Sequence, residues 1–438
     1  MTLLNCNSVQ QPQQHTTTIE EVELVPSIFA QLVEPNNSRG RPIDRFFRRR
    51  YIALFARLEG GFIIVRDALG EVQIGDKSAK LRCVLTLHNM RSYTQVALGG
   101  SNGSAQAYID GHWSVDNLSH LIRIFVSNRV VLDEMETGFT RVLQRALKIW
   151  HRSRRNTRSG SERNIAAHYD LGNDFFRLFL DDHMMYSSAL YESDDDLFSA
   201  SDRKLRRVCD TLELKAHDRV VEIGSGWGGL ACFAAAHYGC KVTTITISKE
   251  QYQEAIARVK REGLEHLVDV KLQDYRDIQG QFDKLVSIEM IEAIGHQYLD
   301  TYFKQVNRLL KENGKALIQA IVIDDSQYQR ALRRVDYIKR YIFPGGFMPC
   351  YSVLVDRAAR SRLMVEDVFD MGFSYAKTLR DWRKRFYDNI NKVSEQGYGS
   401  DFQRMWEFYL CYCEGAFDER AISVGQLLFR KQAQLDSR

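Results

Sequence analysis

The segment V-V-E-I-G-S-G-W-G-G, residues 220–229, constrains this chain more than any other, because the helix-forming run LACFAAAHYG follows it directly. An apolar strand, a glycine-rich turn and a helix N-terminus in that order leave few folds open. Glycine tolerates positive φ and leaves room for a ligand beside the backbone, and the helix start behind it offers free N–H groups. Strand-like and helical runs alternate around this turn. The hydrophobic spacing predicts strands over 219–223, 241–247, 268–272, 284–288 and 315–323, and helices over 229–237, 249–262 and 298–310. Such alternation builds an α/β fold with a doubly wound parallel sheet, whose ligands sit at the carboxyl ends of its strands. Residues 325–403 break the alternation and read as a helical insertion able to serve as a lid or pocket wall. Residues 424–430 read as a last strand.

The rest of the chain divides by composition. Residues 1–41 read as a disordered polar tail, and 151–161 (HRSRRNTRSGS) as a basic linker without apolar content. Between them, 42–150 carry short strand-like runs at 61–65, 72–74 and 81–87, then helical spacing over 118–149, as in a small α+β domain. Residues 162–438 form the main domain. With 438 residues, 44% hydrophobic and 26% charged, wholesale disorder and fibrous classes are excluded. No apolar run approaches the roughly 18–20 residues of a membrane span, and the Gln/Thr-rich start lacks the pattern of a secretory leader. Eight scattered cysteines without a CxxC pair or a Cys/His cluster predict no metal site and a reduced, cytoplasmic setting.

The net charge of +4 hides the run RGRPIDRFFRRR at 39–50, with six arginines in twelve residues, and a second basic run over 141–163. Such runs track phosphates of nucleic acid or of lipid head groups, or are merely solvated. No zinc-finger, basic-zipper or RNP signature accompanies them, so no nucleic-acid partner is expected.

Gly224, Gly226 and Gly229 also fit G-x-G-x-x-G, which alone is a weak dinucleotide signal. A dinucleotide site adds an acid about 20 residues on, at the end of the second strand. Here that strand ends T-I-T-I-S, with no acid. Glu222 lies instead at the end of the first strand, and Asp274 follows the third. This arrangement favours S-adenosylmethionine over NAD. Trp227 is unusual in a bare turn and is expected to touch the ligand or the lid, with Ser225 and Gly228 completing the loop.

Several collinear stretches resemble the cyclopropane fatty acid synthase family. They are ERNIAAHYDLGNDFFRLFLD (162–181), MMYSSALY (184–191), VVEIGSGWGGLA (220–231), VTTITISKEQ (242–251), LQDYRD (272–277), RYIFPGGFMP (340–349) and EGAFDERAI (414–422). GSNGSAQAYIDGHW (100–113) is similar to the N-terminal domain of longer members, a docking or dimer element. The resemblance implies a seven-stranded class I methyltransferase sheet and S-adenosylmethionine as cofactor. It implies unsaturated acyl chains of phospholipids as substrate and peripheral work at the inner face of a membrane. Carried over, the methyl-donor site comprises Tyr186, Ser187, Gly224, Gly226, Thr246, Ile247, Gln251, Tyr275 and Arg276.

An isolated alkene is a poor nucleophile, and methylating it leaves a carbocation that must not meet water. A dry pocket with fixed polar groups is therefore required. Ring-forming members resemble one another in holding a bicarbonate ion as base with Cys, Glu, His, an Ile backbone group and Tyr. Here Glu292, Ile321 and Tyr375 match, whereas Ser188 stands at the Cys position and Gln319 at the His position. Ser can replace Cys if its backbone N–H does the holding, but Gln319 cannot titrate as His can. The expected product is a cyclopropane fatty acid, with a methyl-branched or methylene chain as the alternative. A dinucleotide oxidoreductase and a non-catalytic lipid-binding protein are the competing classes. His168, His183 and His296 lack metal-like spacing and read as structural, and the run Phe175, Phe176, Leu178 and Phe179 reads as core by default, with pocket lining as the sharper reading.

Overall fold

The computed structural model describes residues 25–30, 39–133, 171–193 and 195–433. The basic linker, the second basic run, His168 and the helical spacing beyond residue 133 lie outside the described residues.

The N-terminal unit starts with the helix Pro42–Phe55. Pro42 suits the first helical turn, where no N–H partner is required. Asp44 accepts from the Arg41 backbone N–H at 2.9 Å and from Thr94 Oγ1 at 2.5 Å, tying this helix to the next, Arg91–Ile109. A small sheet follows with strands β1 (Gly61–Asp67), β2 (Gly70–Gly75), β3 (Leu81–Leu87) and β4 (Trp113–Val115), ordered β2-β1-β3-β4. The helix Leu118–Ser127 closes the unit, with the Asn117 side chain accepting from His120 N as its cap.

The main sheet has seven strands: β5 (Arg219–Ile223), β6 (Lys241–Thr246), β7 (Val268–Leu272), β8 (Phe282–Ile288), β9 (Leu310–Ile323), β10 (Leu363–Asp370) and β11 (Ile422–Lys431). Their order is β10-β11-β9-β8-β5-β6-β7. β5 pairs in parallel with β6 and β8, β8 with β9, and β6 with β7, while β11 runs antiparallel between β9 and β10. The parallel centre is covered on both faces, so its strands read as apolar runs.

Two boundaries differ from the expectation. The stretch 325–403 is not purely an insertion, because β10 lies within it as the edge strand of the sheet. LMVEDVFD has no clean alternation, and its pairing with β11 bridges residues far apart in sequence. Nor do the helices stop at 403: the helix Ser400–Asp418 runs across that point. This helix carries the N-terminal unit. Tyr108 OH donates to Glu407 Oε2 at 2.5 Å, Ser119 Oγ to Glu414 Oε1 at 2.9 Å, and Asn102 Nδ2 to the Val335 carbonyl at 2.8 Å. One apolar cluster runs from Tyr51, Trp113 and Ile124 through Phe175 and Phe179 to Trp382 and Trp406. Phe175, Phe176 and Phe179 are fully buried in it, as core.

Candidate active site

The glycine turn joins β5 to the helix Gly229–Tyr238, and Gly224, Gly226 and Gly228 take φ of 96°, 49° and 85°. Such values are strained for any residue with a Cβ. The backbone N–H groups of Gly224 and Ser225 both donate to the Ile245 carbonyl, at 3.1 and 2.8 Å, which locks the turn to β6. A Cβ built on Gly226 would meet no atom within 4 Å, so open space lies before the turn. Trp227 points inward, is buried against Phe176, and donates from Nε1 to Asn173 Oδ1 at 2.7 Å.

The remaining cofactor candidates gather around the same strand ends. Thr246 Oγ1 donates to Gln251 Oε1 at 2.9 Å, Ile247 lies in the intervening turn, and Ser248 caps the helix Lys249–Arg261. Tyr275 has a buried hydroxyl with no partner among the described residues, beside Arg276, whose guanidinium grips Asp274 at 2.5 and 2.8 Å. Glu222 sits inside the sheet and accepts from Thr244 Oγ1 at 2.5 Å, and burial pushes its carboxyl up to about 8. Open space at Gly226, an unpartnered Tyr275 hydroxyl and the capped turn at Gln251 fit an adenosyl group and its polar tail.

The second group centres on a residue that sequence reasoning passed over. Glu289 follows β8 directly, and its backbone φ is 48°. Three donors converge on its carboxylate: Tyr375 OH on Oε2 at 2.7 Å, and Gln319 Nε2 and the Ser188 backbone N–H on Oε1 at 2.8 and 3.0 Å. They come from the helix Gly372–Asp388, from β9 and from the loop after Asp181. The Glu289 backbone N–H in turn donates to the Gln319 carbonyl at 2.8 Å, and Gln426 Nε2 holds Gln319 Oε1 at 3.0 Å. Ser188 meets Glu289 through its backbone N–H, while its hydroxyl donates to the Ala189 carbonyl.

Glu292, the acid singled out from sequence, stands beside this group. Its Oε1 accepts from the Ile321 N–H at 2.5 Å, and its buried Oε2 has no partner among the described residues. Burial, then repulsion from Glu289, pushes the Glu292 carboxyl up to about 8. Burial also raises Glu289, against the three hydrogen bonds that favour its ionised form. Glu289, with more donors, is the anionic member of the pair. A bicarbonate ion does not fit these residues: Ser188, Gln319 and Tyr375 already serve Glu289, the Ile321 N–H serves Glu292, and a second anion would meet the Glu289 charge.

Lys204 was also missed. It lies on the helix Leu197–Thr211, fully buried, and donates to Ser187 Oγ at 3.0 Å. Burial pulls its ammonium down to about 8 against the attraction of Asp181, Glu289 and Glu222. It is a buried cation beneath an acidic site. Tyr186 packs against Phe176 and Trp382, with ring centroids 5.2 and 5.3 Å away, and its hydroxyl meets that of Tyr409 at 3.0 Å. His183 stacks on Phe198 4.9 Å away, and His296 lies edge-on to Phe347 at 6.3 Å.

A seven-stranded sheet in this order, with a glycine turn after its first strand in sequence, β5, defines a class I S-adenosylmethionine-dependent methyltransferase. Residues 156–427, more than half of the chain, match the family described as mycolic acid cyclopropane synthetase, and the chain belongs to that family. It is 35% identical over 349 residues to the cyclopropane-fatty-acyl-phospholipid synthase of Escherichia coli, covering 79% of this chain and 87% of that one. It is 34% identical over 337 residues to the tuberculostearic acid methyltransferase of Mycobacterium tuberculosis, covering 75% and 78%. Among solved structures, mycolic acid cyclopropane synthase CmaA1 complexed with SAH and CTAB matches with a TM-score of 0.58 and 29% identity. That match covers 62% of this chain and 98% of the other.

Proposed function

We propose that this enzyme methylates the cis double bond of unsaturated acyl chains in membrane phospholipids, and that the methylated chain loses a proton to close a cyclopropane. The observation that carries the reading is the convergence of buried acids and fixed donors around Glu289 and Glu292, next to the glycine turn of a methyltransferase sheet. The likeness to the Escherichia coli synthase supports it.

S-adenosylmethionine supplies an electrophilic methyl group when bound. Gly224, Ser225, Gly226 and Gly228 would hold it at the turn, Thr246, Ile247 and Gln251 on the ribose side, and Tyr275 and Arg276 at the adenine. Tyr186 and Ser187, fixed by Tyr409 and Lys204, would face its reactive end. Tyr186, backed by the buried rings of Phe176 and Trp382, would exclude water from the reacting chain and offer its ring face to a developing cation. The cation's proton must go to a fixed acceptor rather than to bulk water.

The second reading, a methylene branch, is favoured by Gln319 in place of a titratable imidazole. The two products are isomers of equal mass. NMR of lipid from cells expressing the enzyme separates them: a cyclopropyl methylene signal is expected, and vinylidene protons in its place would overturn ring closure. A saturated branch needs two further electrons and lies outside this step.

Access to bilayer lipid would run through the helix Pro42–Phe55, where Arg45, Arg49 and Arg50 are exposed beside Ile43 and Phe46. Among the described residues no helix is long and apolar enough to cross a membrane. Basic charge beside exposed apolar side chains suits peripheral binding at an anionic surface, the inner face of the membrane.

A further inference from the structure

We propose that the Glu289 carboxylate is the base that takes the proton from the methylated acyl chain, so that this enzyme works without a bicarbonate ion. The proposal rests on the methyl-transfer reading above and deepens it.

Geometry carries the assignment. The carboxylate is held at three points by groups from a loop, a strand and a helix, at 2.7, 2.8 and 3.0 Å. Ser188, Gln319 and Tyr375 are three of the five positions expected to surround an inorganic base, and all three point at Glu289. Bicarbonate and a carboxylate present the same planar pair of oxygens, and here the Glu289 carboxylate takes up the donors such an ion would need. The backbone provides a second, independent observation. Glu289 adopts φ of 48°, a conformation that glycine reaches freely and glutamate does not. Strain of this kind persists where the surroundings over-determine it, and it gathers at functional sites. Glu289 also stands at the carboxyl end of β8, the central strand, beside β5, where ligands of such sheets bind.

The chemistry balances. Methyl transfer converts the sulfonium to a neutral thioether and leaves one positive charge on the acyl chain. A C–H bond of that cation then breaks. Its electron pair forms the third ring bond, or a new C=C bond on the branching path, and its proton goes to Glu289, which becomes a neutral acid. No oxidant or reductant enters. Glu292, already pushed toward its neutral form, leaves the negative charge on its neighbour.

The full-length enzyme is assayed in carbon-dioxide-depleted buffer on unsaturated phospholipid vesicles, with S-adenosylhomocysteine binding measured by calorimetry. The unaltered enzyme should turn over fully, and added bicarbonate should not speed it. Glu289→Gln should lower kcat by about 100-fold or more while binding the homocysteine product within about 3-fold. Glu289→Gly relieves the backbone and opens a carboxylate-sized space before the three donors. Added formate or bicarbonate should restore its rate by about 10-fold, with a pH profile that follows the added acid. A purely structural Glu289 would show no such rescue. The proposal is overturned if the unaltered enzyme needs bicarbonate, if Glu289→Gln keeps its rate within about 3-fold, or if both variants lose product binding together. If the unaltered enzyme itself binds no S-adenosylhomocysteine or methylates no lipid, the parent reading fails instead.

Discussion

At the scale of the residue, charge and space decide. Gly226 faces open space, so Gly226→Ala strains its backbone by about 1–2 kcal/mol and places a methyl group before the turn. Thermal unfolding should register that modest loss, while affinity for S-adenosylhomocysteine should fall by about 10-fold or more. The raised Glu292 carboxyl fixes the sign of a pH effect. Its ordinary value is 4.5 and its folded value about 8, so the folded state holds the extra proton between those limits. The contribution of this group is therefore full below pH 4.5 and declines as pH rises toward 8, by a few kcal/mol in order of magnitude. Glu222, also raised to about 8, acts in the same direction. Glu292→Gln mimics the protonated form and should flatten part of that decline in chemical denaturation. An unchanged slope would show that the acid does not hold its proton.

At the scale of the element, caps and turns set where helices start. The helix Leu197–Thr211, which carries Lys204, begins at Asp196, whose side chain accepts from Ser199 N at 2.7 Å. Asp196→Ala should cost about 1 kcal/mol of stability, seen as a lower denaturation midpoint. The strands of the parallel centre were legible because both faces are buried and each run is short and apolar. β10 was not. Leu363 is buried, whereas Met364 and Val368 are exposed, so LMVEDVFD shows no period that marks it as a strand. Its identity comes from pairing with β11, a partner more than fifty residues away.

At the scale of the whole molecule, the N-terminal unit and the catalytic sheet share the helix Ser400–Asp418. Glu414 lies fully buried on it, bonded to Arg383 at 3.0 Å and to Ser119, with Arg380 at 3.2 Å. Glu414→Ala would leave Arg383 with the Val25 carbonyl and Arg380 with Asp418 but take away the buried carboxylate both arginines share, and should cost about 3–5 kcal/mol, read as a drop in Tm. The shared apolar cluster predicts one cooperative calorimetric transition rather than two. Docking should answer to charge: vesicles rich in anionic lipid bind the enzyme, and salt releases it. Replacing Arg45, Arg49 and Arg50 together by Gln should weaken that binding and leave activity on detergent-dispersed lipid intact.

The chain alone determined the alternation of strands and helices, the glycine turn and the acid-poor end of β6, because each is a local pattern with a local physical cause. Ser188, Gln319, Ile321 and Tyr375 were legible as matches to a known pattern, but not as a group in space. Only the tertiary structure brought 188, 319 and 375 onto one carboxylate, and it chose Glu289 over Glu292, three residues on. In S-I-E-M-I-E the two acids look alike. A left-handed turn after β8 aims the first at three donors and leaves the second with a single N–H, and that division follows from contacts no linear spacing encodes.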